Sequence, residues 1–174
     1  RARSCERLRA KRGALAGGGE IIDAKEPGAG ALGPVSGDAL RAIRSVVPTD
    51  IPCSAALGDV ASVAEVTRAF ADIDVPLSFV KLGFRGIPDS ALVQELLTAA
   101  VAAARTRPGA PKVVAVAYAD HTRMASLASA EFPAVVRDAG AAGLLVDTGI
   151  KEGGGLFDHQ STAELGLIAA ALRA

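Results

Sequence analysis

The sequence predicts an α/β chain built from repeated β/α units. Three observations predict it. Short β-branched apolar runs alternate with Ala-rich amphipathic runs. Strand starts recur at roughly 25–35 residues, about one β/α unit. The strand runs are continuously apolar, as expected when both faces of a parallel sheet are covered.

In chain order, strands are expected over Glu20–Ala24, Ile51–Leu57, Leu77–Leu82, Lys112–Tyr118 and Gly143–Asp147. Helices are expected over Cys5–Ala16, Gly37–Val46, Val60–Ala71, Ser90–Arg105, Thr122–Asp138 and Ser161–Arg173. Pro48 and Pro52 bracket the entry to one strand, and Pro108 to Pro111 separates a long helix from the next. Gly140 and Gly143 end the helix that follows Phe132. The glycines between Gly17 and Gly33 read as a flexible loop behind the first of these strands. Gly28, Gly30 and Gly33 match the dinucleotide-binding G-x-G-x-x-G by letter. They follow Glu26-Pro27, too far from the strand and with no helix behind them, so that reading is set aside. A phosphate loop ending in Gly-Lys-Ser/Thr is absent.

Bulk properties narrow the functional classes. The 174 residues suit one domain or part of a larger one, and half are hydrophobic, which supplies a core and argues against disorder. The formal net charge is zero and aromatics are 3%, so no nucleic-acid partner is expected. Leu92–Ala104 is interrupted by Gln94, Glu95 and Thr98, so no bilayer span is expected. Cys5 and Cys53 fit no disulfide or metal framework, and the basic N-terminus leads into no secretory apolar stretch. A soluble cytoplasmic protein with free thiols is the expectation.

The candidate chemistry lies where the strands end. The first ends in Asp23-Ala-Lys25, and the second carries Ser54 and runs into Gly58-Asp59. Lys81 sits inside the apolar Leu-Ser-Phe-Val-Lys-Leu-Gly, Tyr118 leads to Asp120-His121, and Asp147 leads to Lys151. Each strand delivers polar groups at the same end, which is where a TIM (β/α)8 barrel places its active site. A charged amine within an apolar run is costly unless paired. Lys25 and Lys81 can each be structural ion-pair partners of Asp23 or Asp147, and Asp120 and Lys151 can each be solvated loop residues. Two such lysines with two such aspartates at equivalent strand ends also suit carbonyl condensation. A lysine in a low-dielectric site beside another cation has a depressed pKa, and its neutral amine attacks an aldehyde to give a Schiff base. A second lysine or an aspartate then takes the proton from the adjacent carbon. This chemistry needs no metal or cofactor, and His121 and His159 offer no ligand spacing.

Five motifs carry a family resemblance: Ile-Ile-Asp23-Ala-Lys25-Glu-Pro with its trailing Gly-Ala-Leu-Gly33; Ser54-Ala-Ala-Leu-Gly58-Asp59; Val-Lys81-Leu-Gly; Tyr118-Ala-Asp120; and Asp147-Thr-Gly-Ile-Lys151-Glu-Gly. In this order they resemble (5-formylfuran-3-yl)methyl phosphate synthase, a TIM-barrel enzyme of methanofuran and methylofuran biosynthesis. The resemblance runs from about Gly17 to the end and is weak before that. It implies a lyase that condenses two molecules of glyceraldehyde 3-phosphate, a small phosphorylated aldehyde, to a furan aldehyde phosphate with loss of phosphate and water. Lys25 would be the Schiff-base lysine and Lys81 the proton acceptor. Asp23 and Asp147 would share the catalytic pocket, and Lys151, Ser54 and Asp120 would bind substrate.

The chain departs from that pattern at both ends. The basic segment over residues 1–12 does not suit a buried barrel strand, and the last two β/α units are expected to be missing. Five strands and a doubtful sixth leave open edges, which make self-association plausible. Weak activity or none is therefore expected of the chain alone. Another Schiff-base sugar-phosphate aldolase, or a remnant with only a structural or binding role, are the competing readings.

Overall fold

The structure, a computed structural model, describes residue 13 and residues 17–174. The expected helix over Cys5–Ala16 and the basic segment over 1–12 therefore fall almost wholly outside the described residues. Within them, five strands form one sheet: β1 (Ile22–Ala24), β2 (Cys53–Asp59), β3 (Phe79–Gly83), β4 (Lys112–Tyr118) and β5 (Gly143–Asp147). Their spatial order is their sequence order, and every adjacent pair is parallel. No sixth strand occurs among the described residues. A doubly wound dinucleotide-binding sheet reverses its strand order at a switch point, and this sheet does not. The architecture is an α/β sheet consistent with part of a β/α barrel.

Helices make the crossovers: α1 (Gly37–Val46), α2 (Val63–Ala71), α3 (Ser90–Ala104), α4 (His121–Met124) with α5 (Phe132–Asp138), then α6 (Leu156–His159) and α7 (Thr162–Ala171). The N-caps explain several of the starts. The Ser36, Ser62 and Asp89 side chains accept backbone N–H groups at the first turns of α1, α2 and α3. At α7, Ser161 and Glu164 exchange bonds in a capping box.

Period-two alternation sorts the strand residues onto two faces. Ile22, Ala24, Ala55, Leu57, Val80, Leu82, Val113, Ala115 and Ala117 join Leu40, Ile43, Val66, Phe70, Val93, Leu96 and Leu97 in the main core. The opposite parity carries Asp23, Ser54, Lys81, Tyr118 and Asp147. That second face holds a smaller apolar cluster of Leu32, Ala56, Val116, Tyr118 and Met124, and it exposes Ile21 and Leu145. Among the described residues only one face is fully covered, which differs from the expectation drawn from the unbroken apolar runs.

Several element ends shift by up to two residues from the sequence reading, and two helices differ more. α2 begins at Val63 rather than Val60, because Val60 is a buried loop residue whose N–H donates to the Gly83 carbonyl. The helix expected over Thr122–Asp138 is split. Ala125 adopts a left-handed conformation (φ 49°), which closes α4, and the chain re-enters helix through a 3-10 turn at Ser129–Glu131. The glycine-rich stretch after β1 is tied at its two ends. It contains a 3-10 turn at Pro27–Ala29, and the Glu26 N–H donates to the Gly33 carbonyl at 2.8 Å.

Candidate active site

β1, β2 and β3 assemble the first part of the site. In the β1–β2 register Asp23 stands beside Ser54, and the Ser54 hydroxyl donates to Asp23 Oδ1 at 2.7 Å. Asp23 Oδ2 receives Lys81 Nζ at 2.6 Å. The Lys81 side chain is 16% exposed and that of Asp23 32%, so the pair is largely withdrawn from water. This satisfies the partner requirement for Lys81. It also places Ser54 as a support for the carboxylate.

Lys25 lies one step beyond β1 on the same parity as Asp23. It lines a cavity of about 340 Å³ together with Gly30, Ala31, Gly149, Ile150 and Lys151. The loops after the first and fifth strands therefore meet over the sheet, although β1 and β5 are not paired. Lys151 Nζ donates to Asp147 Oδ1 at 2.8 Å and to the Thr148 carbonyl at 2.7 Å. Lys25 Nζ has no hydrogen-bond or ion-pair partner among the described residues. The ion-pair alternative thus describes Lys81 and not Lys25, and Lys151, read as a possible solvated loop residue, is ion-paired to Asp147.

Asp120 is buried, and it holds the β5 loop. Its two carboxylate oxygens accept the Gly149 and Ile150 N–H groups at 2.8 and 3.0 Å. Burial pushes its carboxyl up, but these N–H donors outweigh that and hold it below the usual carboxylate value. Met124 packs where a Gly149 side chain would stand, so α4 braces the same loop. Asp120 thereby holds the backbone that carries Lys151. His121 and His159 form no metal cluster, and no group of three or more His, Cys, Asp or Glu is so arranged among the described residues.

The sequence reading passed over a further pair. Tyr118 is 1% exposed, and its hydroxyl donates to Asp59 Oδ1 at 2.7 Å. Burial, and then the Asp59 charge, push the phenol well above its ordinary value. Strict alternation from Ser54 and Ala56 would turn Asp59 towards the helices. A bulge between Ala56 and Asp59, with Gly58 at φ 89°, turns it back to the inner face. The parity of Tyr118 with Val116 was available as a signal, but the bulge was not. Gly83 makes room for the pair: a Cβ there would collide with Asp59 Oδ1 and lie 2.6 Å from the Tyr118 hydroxyl.

Amines and carboxylates gather at the C-terminal ends of the parallel strands, the end at which β/α folds place small-molecule sites. Residues 4–174 match the family model described as 4-HFC-P synthase, and the chain belongs to that family of synthases. It is 37% identical over 154 residues to the (5-formylfuran-3-yl)methyl phosphate synthase of Methanocaldococcus jannaschii, covering 85% of this chain and 64% of the relative. The namesake of Methanosarcina acetivorans is 36% identical over 155 residues, 86% of this chain and 64% of the relative. A putative synthase of Streptomyces griseus is 36% identical over 145 residues, 80% of this chain and 57% of the relative. The chain thus spans just under two thirds of the length of the Methanocaldococcus jannaschii and Methanosarcina acetivorans relatives.

Proposed function

We propose that the site condenses two molecules of glyceraldehyde 3-phosphate to (5-formylfuran-3-yl)methyl phosphate through a lysine Schiff base. One observation carries the choice of nucleophile: Lys25 faces the cavity without a partner among the described residues, whereas Lys81 and Lys151 are each held by a carboxylate. The Lys25 amine adds to the aldehyde carbon, and water leaves to give the iminium. The iminium accepts the electron pair released when a proton leaves the neighbouring carbon. Lys81 passes its shared proton to Asp23, its freed amine takes up the proton from carbon, and Ser54 keeps Asp23 turned towards Lys81. Asp147 and Lys151 move protons and offer a cation to phosphate, and Asp120 positions their loop. The carbon made nucleophilic bonds to the second triose as the phosphate of that triose leaves. A hydroxyl of the second triose closes the ring on the iminium carbon, and loss of the Lys25 amine and of a ring hydroxyl as water makes the ring aromatic. One phosphate and two waters, counting the one lost on imine formation, balance two triose phosphates against the furan product.

The names of the relatives support this reading, as does the meeting of both strand-end loops at one cavity. Incubation with glyceraldehyde 3-phosphate, read by phosphate release and furan absorbance, tests it. Both signals are expected. Imine formation with neither signal would favour a different Schiff-base aldolase.

A further inference from the structure

A second cavity adjoins the lysine-lined one. It measures about 320 Å³ and is lined by Gly58, Asp59, Arg85, Tyr118 and Met124, with Gly30, Ala31 and Gly149 shared between the two cavities. We propose that this cavity is a separate subsite for the second hydroxyaldehyde phosphate, with Asp59 taking a substrate hydroxyl and Arg85 its phosphate. The proposal rests on the condensation reading above, because joining two small molecules requires two adjacent seats.

The geometry favours a recognition site over a structural pair. Asp59 is exposed, yet its Oδ1 is fixed by two donors, the Tyr118 hydroxyl at 2.7 Å and the Arg85 N–H at 3.0 Å. Oδ2 has no hydrogen bond among the described residues, so a rigid acceptor stands at the cavity wall. A carboxylate held in this way accepts a ligand hydroxyl without first being ordered. The Arg85 guanidinium adds a cation suited to phosphate. Three features place the group: the Gly58 bulge, the bare Gly83 and the turn at Gly86 (φ 80°). In the β4–β5 register Tyr118 stands beside Asp147, so this wall abuts the Asp147–Lys151 pair.

The chain provides its own probe, because Tyr118 is the sole tyrosine and tryptophan is absent. The experiment titrates glyceraldehyde 3-phosphate into the 174-residue chain and follows tyrosine emission. A saturable change is expected, and it should persist in Lys25→Ala, which abolishes imine formation but not the second seat. Affinity should fall about tenfold in Asp59→Asn and in Arg85→Ala, the usual scale for a lost charge-assisted contact. Arg85 is exposed, so its variant serves even if Asp59→Asn fails to fold. Three results would overturn the subsite: no emission change in the parent chain, an unchanged affinity in Arg85→Ala, or loss of the response in Lys25→Ala. Adduct formation at Lys25 is read separately by mass, so failure of the condensation reading is distinguishable from failure of the subsite.

Discussion

Lys81 Nζ lies 2.6 Å from Asp23 Oδ2, an ion pair that reaches from the third strand to the first across β2. Surface pairs contribute about 0–1 kcal/mol, and breaking a buried pair costs about 3–5 kcal/mol. This pair is intermediate in exposure. Lys81→Met should therefore cost roughly 1–3 kcal/mol in urea unfolding, within those limits. It should also abolish product formation while leaving imine trapping at Lys25 intact. Loss of trapping together with loss of turnover would move Lys81 from proton transfer to nucleophile activation.

Gly83→Ala separates packing from backbone freedom. The added methyl would meet Asp59 Oδ1, Leu32 and the Tyr118 hydroxyl at once. Overpacking of this kind costs about 1–3 kcal/mol. Gly86→Ala, with open space but φ 80°, should cost about 1 kcal/mol and leave Tyr118 emission unchanged. Equal effects of the two variants would mean that the Asp59–Tyr118 contact does not constrain Gly83.

Asp120 makes stability depend on pH with a defined sign. Its folded pKa is depressed by the Gly149 and Ile150 N–H groups, which outweigh the opposing effect of burial. A group of this kind stabilises fully above its unfolded value, about 3.9, and the contribution is lost as pH falls through the lower folded value. Asp120→Asn should therefore be less stable than the parent at pH 7, by about 1.5–3 kcal/mol for bonds to a charged acceptor. The gap should narrow in acid. A gap that stayed constant down to pH 2 would assign the loss to packing instead of charge.

The main core supplies a control away from the site. Leu97 is fully buried in α3 and belongs to the helix-side cluster. Leu97→Ala should cost about 2–5 kcal/mol with the site geometry retained. Calorimetry should show the lowered transition, and imine trapping at Lys25 below that temperature should match the parent.

Much of the sheet was legible because its signals are local. β4 and β5 coincide with the expected Lys112–Tyr118 and Gly143–Asp147, where apolar runs are flanked by Gly and Pro. The placement of Asp23, Lys25, Asp147 and Lys151 was legible because charge at the end of an apolar run is conspicuous, and that of Lys81 because charge inside one is. Three features were not. The break at Ala125 depends on a left-handed residue that Ala rarely adopts, so no residue preference announced it. The Asp59–Tyr118 contact depends on the bulge at Gly58, and period-two counting points Asp59 the wrong way. The hold of Asp120 on the Gly149 and Ile150 N–H groups joins two loops thirty residues apart, which spacing alone does not reveal.

Borohydride reduction in the presence of glyceraldehyde 3-phosphate, followed by peptide mass mapping, tests the central claim most directly. The account predicts one reduced adduct on Lys25, absent from Lys25→Ala and Lys25→Arg. An adduct that persisted in those variants, or mapped to Lys81 or Lys151, or never formed in the parent chain at saturating substrate, would contradict it.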